Sequence, residues 1–426
     1  MSSLWIRNGR VIDPANGRDE VADVLVVEGK VTAIGTGIEH SGAPQFDATG
    51  LVVTPGLIDM HVHLREPGFE HSETIKTGSM AAAAGGFTSI VCMPNTSPVN
   101  DSATVTRYII ERARQTAVVN VFPIGAITKG SAGEELASIG SMKQAGIVAI
   151  SDDGRPVMNA RVMRRAMELA KAFDVPVIDH CEDLHLSAGG DMHEGLCSVR
   201  LGLRGIPAAS EDVMVARDIL LAELTGAQFH VAHISSRHSI SMVRHAKMLG
   251  LPVTSEVCPH HFTLADEDIQ PYDSNYKMKP PLRGREHVAA AVEGILSGAI
   301  DAIATDHAPH PGSEKMQEFE RCPFGILGLE TAVGLSLGTF VHTGKVSLNK
   351  IIETMTVAPA RILKLDRGTL SAGAPGDVTV LDPNKEWTYD VNRSHSKSRN
   401  SPYHGHKFKG AAVATIVGGN IVFDAR

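Results

Sequence analysis

The chain of 426 residues has little cysteine, no excess of positive charge and no long apolar run. Its five cysteines (Cys92, Cys181, Cys197, Cys258 and Cys322) are odd in number, far apart, and show none of the paired spacings of a structural zinc site. They read as reduced thiols, which points to a cytoplasmic protein. The net charge is −8, basic residues are scattered, and only residues 395–399 are locally cationic. That balance argues against nucleic acid as a partner. No stretch reaches the roughly 18–20 consecutive apolar residues of a membrane-spanning helix. Met1-Ser-Ser-Leu-Trp5 also lacks the charged-then-apolar order of a secretory signal, so no membrane partner is expected. What is present, 43% hydrophobic and 21% charged residues, is ordinary globular composition. The length allows one large barrel or two to three domains.

After residue 50 the chain alternates short β-branched runs with longer helical patterns. Strand candidates lie at 89–93, 119–124, 146–150, 175–179, 228–232, 251–255 and 299–304; residues 51–53, extended to His61, add the eighth. Near-continuously apolar strands of this kind belong to parallel sheets buried on both faces. Helical patterns such as 162–172 and 212–222 separate them. Eight units over about 250 residues predict an α/β fold of the (β/α)8 TIM-like barrel type. A doubly wound sheet is the alternative, disfavoured by the eight-fold count and the polar strand ends. The two chain ends read as short strands and turns: 4–7, an Asn8-Gly9 turn, 21–27, a Glu28-Gly29 turn and 31–34, then 376–381, 412–417 and 419–423. Neither end has enough strands to be stable alone. Together, residues 1–54 plus 366–426 are expected to form one small β-sandwich domain, with a barrel of residues 55–365 inserted between them. Residues 392–406 read as a polar loop.

Barrel chemistry collects at the C-terminal ends of the strands. Here those ends read His61-Val-His63-Leu-Arg65, Met93-Pro-Asn95, Ser151-Asp-Asp153-Gly154, Asp179-His180-Cys-Glu182, His233-Ile-Ser-Ser236 and Thr305-Asp306-His307-Ala-Pro-His310. A strand turns alternate side chains to one face, so His61 and His63 point the same way. His61, His63 and Asp306 suit one metal ion, His180 and His233 suit another, and Asp153 can bridge or share. Mixed imidazole and carboxylate donors favour Zn²⁺ over Co²⁺, Mn²⁺ or Fe²⁺. His260 and His261, at the end of the seventh strand, read as structural.

The run Pro55-Gly-Leu-Ile-Asp-Met-His-Val-His-Leu-Arg-Glu-Pro-Gly68 resembles the amidohydrolase superfamily, and within it the dihydroorotases of the first class. Met93-Pro-Asn-Thr96, Ser151-Asp-Asp-Gly154, Asp179-His-Cys-Glu182, Lys277-Met-Lys-Pro-Pro-Leu-Arg283, Ala304-Thr-Asp-His-Ala-Pro-His310 and Pro323-Phe-Gly325 extend the resemblance over nearly the whole chain. It implies zinc-dependent, reversible interconversion of L-dihydroorotate and N-carbamoyl-L-aspartate in pyrimidine (UMP) synthesis. The implied metal set is His61, His63, Asp153, His180, His233 and Asp306, holding one or two Zn²⁺ with two expected. Asp306 is also the implied catalytic base. The implied substrate contacts are His63, Arg65, Asn95, His310 and the Phe324-Gly325 backbone, together with the position of Lys279.

The residues themselves agree with an acidic substrate, since a guanidinium fork such as that of Arg65 matches a carboxylate bidentately. A rim pair of Arg65 with Glu66 is the alternative, and Asn95 has the alternative of capping a turn. Dinuclear relatives such as the hydantoinases bridge their metals with a carboxylated lysine on strand four, and none stands here. Lys279 occupies a place where the resembled class tends to carry Asn; it either supports a substrate carboxylate or points to solvent. Residues 310–323 read as a lid or as an ordinary connecting loop. Two competing functions are hydrolysis of another cyclic amide (allantoin or a hydantoin) and a non-catalytic partner subunit of aspartate carbamoyltransferase. A homodimer is a further expectation.

Overall fold

The computed structural model describes residues 2–38, 40 and 42–426. Five strands, β1 (Leu4–Asp13), β2 (Arg18–Val27), β3 (Lys30–Gly35), β4 (Gln45–Asp47) and β5 (Val52–Pro55), precede Gly56. After it, β6 (Leu57–Val62), β7 (Phe87–Cys92) and β8 (Asn120–Pro123) pair in parallel. A second parallel arc joins β9 (Val177–Asp179), beyond which β10 (Met192–His193) and β11 (Gly205–Ile206) pair with each other as a separate two-stranded sheet, to β12 (Phe229–Val231), β13 (Val253–Val257) and β14 (Ala302–Ile303). Ile150 bridges both Gly125 and Val177, and Val62 bridges His307, so the two arcs close into a barrel. The eight strand positions follow the order read from the sequence, the fourth reduced to a single bridging residue.

Strand alternation splits the core into two layers. Val177, Phe229, Val231 and Ile303 pack with helical residues such as Met163, Val215, Val243 and Ile295, on the outside of the barrel. Val91, Ile124, Ala149, Ile178, Ala302 and Ala304 form a separate cluster in the interior. Two residues beyond Ile178 comes His180, and two beyond Ala304 comes Asp306, so the period of two that packs the interior also points the polar strand ends into the barrel mouth.

Three strands close the chain: β15 (Val378–Thr388), β16 (Lys407–Val417) and β17 (Asn420–Asp424). They join the N-terminal strands in one path, β17-β16-β15-β5-β1-β2-β3, with β4 also on β1. Val53 carries the junction, pairing with Val11 on one side and Val380 on the other. The strands of the two chain ends therefore share one continuous hydrogen-bonded sheet, packed on Ile6, Val24, Phe46, Val378 and Ile416.

Two local expectations are corrected. Residues 51–61 are not one strand: Gly56 separates β5, in the shared sheet, from β6, in the barrel. Asn8-Gly9 is not a turn either. The strand β1 runs through it with a register shift between Ile6 and Gly9 and Asn8 at φ 60°. The same Asn-Gly freedom that builds tight turns also builds β-bulges. Glu28-Gly29, at φ 51° and 77°, does make the expected turn between paired Val27 and Lys30. All five cysteines are free and buried. No helix among the described residues is long and apolar enough to cross a membrane.

At Gly56 an added Cβ would lie 2.0 Å from Thr88 Oγ1. Gly56→Ala is expected to force β6 and β7 apart and cost about 1–3 kcal/mol in a denaturant titration; an unchanged midpoint contradicts this close packing.

Candidate metal centre

The six donors read from the sequence meet at the barrel mouth, with Asp153 at their middle. Its Oδ1 lies 3.4 Å from His61 Nε2, 3.7 Å from His180 Nδ1 and 3.7 Å from His233 Nε2. Its Oδ2 lies 3.5 Å from His63 Nε2. Asp306 Oδ1 is 2.9 Å from His63 Nε2 and 3.5 Å from His61 Nε2. Two overlapping groups can each hold an ion: His61, His63 and Asp306, and His61, Asp153 and His233, with His180 Nδ1 2.9 Å from His233 Nε2.

On His61, His63 and His180 the nitrogen that turns away from this centre is engaged elsewhere, which fixes which nitrogen faces inward. His61 Nδ1 is 2.7 Å from Glu256 Oε1, and Glu256 Oε2 is 3.3 Å from His230. His63 Nδ1 is 2.9 Å from Asn95 Oδ1, and His180 Nε2 is 2.9 Å from Glu182 Oε2. Partners of this kind orient metal-binding imidazoles. Among buried polar atoms, His61 Nε2 and Asp153 Oδ1 find no hydrogen-bond partner. Such orphaned atoms are costly unless a ligand satisfies them. The residues therefore fit a cation.

The local field says the same. Burial alone would lower the imidazole of His180, but Asp153 and Glu182 outweigh it and raise it to about 10. His61 is raised well above its ordinary value, with Asp153, Asp306 and Glu256 overcoming burial. A pocket negative enough to hold protons on buried imidazoles is one from which a divalent cation displaces them.

Beside the centre opens a cleft of about 380 Å³, lined by Arg65, Asn95, Asp153, Arg155, His310 and Glu314, among others. Arg65 does not pair with Glu66, which is taken by Arg112 at 2.6 Å. Its Nε donates to Pro309 O at 3.2 Å, and its guanidinium stands 3.3 Å from His310 Nε2. His310 donates Nε2–H to Phe324 O at 2.9 Å. Burial, reinforced by Arg65 and Lys315, pushes His310 down to about 3, so a neutral ring faces the guanidinium. Asn95 caps no turn; its Nδ2 donates to Asp153 Oδ2 at 3.2 Å, so its amide ties two prospective metal donors together.

A family model described as dihydro-orotase-like matches residues 50–239, and an amidohydrolase family model matches residues 325–423. A dihydroorotase of Solibacter usitatus is 68% identical over 418 residues, covering 98% of this chain and 97% of the relative. One of Citrifermentans bemidjiense is 54% identical over 424 residues, covering 99% and 100%. The chain belongs to the dihydroorotase family. Among solved structures, an L-hydantoinase (dihydropyrimidinase) from Arthrobacter aurescens superposes with a TM-score of 0.90 at 26% identity, covering 100% of this chain and 97% of that one. A dihydropyrimidinase from Brevibacillus agri follows the same fold with a TM-score of 0.87 at 25% identity, covering 99% and 95%.

Lys279 Nζ lies 2.8 Å from Glu182 Oε1 and 5.0 Å from the Phe324 ring, with its side chain 26% exposed. Its charge is thus directed at the carboxylate behind His180. Phe324 and Gly325 lie directly against the His310 ring. His260 and His261 stand apart from the six, in a buried group with Cys258. Burial holds His260 well below its ordinary value and His261 at about 4, and His261 Nε2 donates to Pro280 O. The segment 310–323 is tethered by Lys315, Phe319 and Cys322, all buried, with Lys315 Nζ donating to the carbonyls of Lys277, Pro323 and Gly325.

Sequence reasoning missed Glu256 and gave Glu182 no role. Glu256 was hidden because strand seven was ended at Ser255, whereas β13 runs to Val257. Its signal was a carboxylate inside an apolar strand; that of Glu182 was a carboxylate two residues beyond His180. Glu256→Ala leaves His61 Nδ1 unpaired and is expected to weaken metal binding about 10–100-fold, measured by competition with a chelator. Affinity equal to the parent protein's contradicts that orienting role.

Proposed function

We propose that this chain reversibly hydrolyses L-dihydroorotate to N-carbamoyl-L-aspartate, with two divalent ions, Zn²⁺ by donor chemistry, held by His61, His63, Asp153, His180, His233 and Asp306. The observation that carries the reading is Asp153: one buried carboxylate aims Oδ1 at three imidazoles and Oδ2 at a fourth. When bound, such ions supply Lewis-acid character to an amide carbonyl and lower the pKa of attacking water.

The protein's own groups do the rest. Arg65, beside neutral His310, is the carboxylate anchor, a feature of use for an acidic ring and of none for hydantoin or dihydrouracil. Asp306 is buried, yet the imidazoles of His61 and His63 outweigh burial and hold its carboxyl below the usual range, so it stands as the ionised carboxylate. In hydrolysis a C–O bond forms at the ring amide carbonyl and the C–N bond breaks. Asp306 takes the proton from the attacking water and returns it to the departing ring nitrogen. The convergence of all six donors weighs against a non-catalytic subunit. The proposed setting is the cytoplasm, and the proposed macromolecular partners are a second copy of the chain and aspartate carbamoyltransferase.

Metal-replete protein is expected to turn over L-dihydroorotate and to leave hydantoin, allantoin and dihydrouracil essentially untouched; preference for an uncharged ring overturns the substrate reading. Asp306→Asn is expected to lower kcat about 10²–10⁴-fold while bound metal, read by elemental analysis, stays. Near-parent turnover removes Asp306 from the base role.

A further inference from the structure

The segment from residue 394 to 400, Ser-His-Ser-Lys-Ser-Arg-Asn, alternates with a period of two. Ser394, Ser396, Ser398 and Asn400 are buried, whereas His395, Lys397 and Arg399 are exposed. The alternation puts one face of this bent segment under cover, and the covered face is polar. Its buried groups are matched one by one. Ser394 Oγ and the His395 amide donate to Glu330 Oε1 at 3.1 and 2.7 Å. Ser396 Oγ donates to Glu73, the Lys397 amide donates to Glu73 Oε1 at 3.1 Å, and Ser398 Oγ donates to Ser72 O at 2.7 Å. The segment is a strap laid across the barrel loops and fastened to them through polar groups.

Asn400, 2% exposed, is the end of the strap that contacts His310, a residue lining the cleft. Its Nδ2 donates to Ala308 O at 2.9 Å and to Gly325 O at 3.0 Å. Its Oδ1 accepts from the His310 amide at 3.1 Å, and its own carbonyl accepts from the Leu327 amide at 2.9 Å. His310 in turn donates to Phe324 O, which closes a ring of contacts through Asn400, His310, Phe324 and Gly325. Every polar group of the carboxamide is thereby used, and its partners are Ala308, Gly325 and His310, the last of which lines the cleft. Gly325 sits at φ 130°, and a Cβ there would come within 2.7 Å of Ala308 Cβ, so the two segments are pressed together at the point Asn400 joins.

We propose that Asn400 is a positioning residue for substrate recognition: it sets the spacing between the His310 arm and the Phe324-Gly325 backbone, and so holds Arg65 and His310 in register for the substrate carboxylate. The inference rests on the dihydroorotate reading of the cleft. It makes the C-terminal segment, far from the metal donors in sequence, a part of the substrate site. No metal donor is among Asn400's partners, so substrate binding is what changes when it is lost.

Asn400→Asp keeps the volume but turns an oxygen toward the Ala308 and Gly325 carbonyls; Asn400→Ala removes the link. With L-dihydroorotate, either folded variant is expected to raise KM about tenfold or more while kcat stays within about threefold and metal content is unchanged. A KM rise smaller than about fivefold overturns the proposal, whatever the loss of stability. Should neither variant fold, hydrogen exchange on the parent protein decides: the His310 amide held by Asn400 is expected to be protected, and fast exchange overturns the inference. A parent protein inactive on dihydroorotate defeats the substrate reading instead, which separates the two failures.

Discussion

The site depends on one unsatisfied group, the Asp153 carboxylate. It is 5% exposed and ringed by imidazoles, and its Oδ1 has no hydrogen-bond partner. Leaving a carboxylate in that state is expensive unless a cation meets it. Its neighbours are arranged to supply that need rather than to relieve it. Glu256, Asn95 and Glu182 occupy the far nitrogens of His61, His63 and His180, so the near nitrogens cannot turn away to find other partners. Stability is given up locally so that an ion can bind.

Backbone strain sits at the same place. Arg65, His233 and Asp306 hold φ values of 60°, 32° and 49°, in a region that non-glycine residues rarely adopt. Each lies where a strand ends and a side chain must be aimed into the mouth rather than along the sheet. Such strain persists only where packing over-determines it, and it gathers at functional sites. The closed barrel beneath and the strap above supply that packing, the strap through Glu73 to His307 and through Asn400 to His310.

Much of this was legible in the residues because it follows a period of two. Apolar runs marked the strands, and imidazole or carboxylate groups at their ends marked the mouth, so His61, His63, Asp153, His180, His233 and Asp306 were found together. Where local chemistry serves two purposes, reading failed: Asn8-Gly9 makes a bulge with the same freedom that would make a turn, and Gly56 divides what looked like one strand. Residues 394–406 do carry no helix or strand, as the polar loop read there implies, but the burial of its serines and Asn400 was not legible, because burial is ordinarily inferred from apolar side chains. Lys279 was weighed between substrate and solvent, and its ion pair with Glu182 is a tertiary contact that spacing along the chain does not encode.

The central claim is that Asp153 organises a two-ion centre. Anomalous diffraction from crystals of zinc-loaded protein tests it most directly. Two peaks are predicted, one among His61, His63 and Asp306 and one beside His180 and His233, each in contact with the Asp153 carboxylate. A single peak at full zinc loading, or a pair that leaves Asp153 uncoordinated, contradicts it.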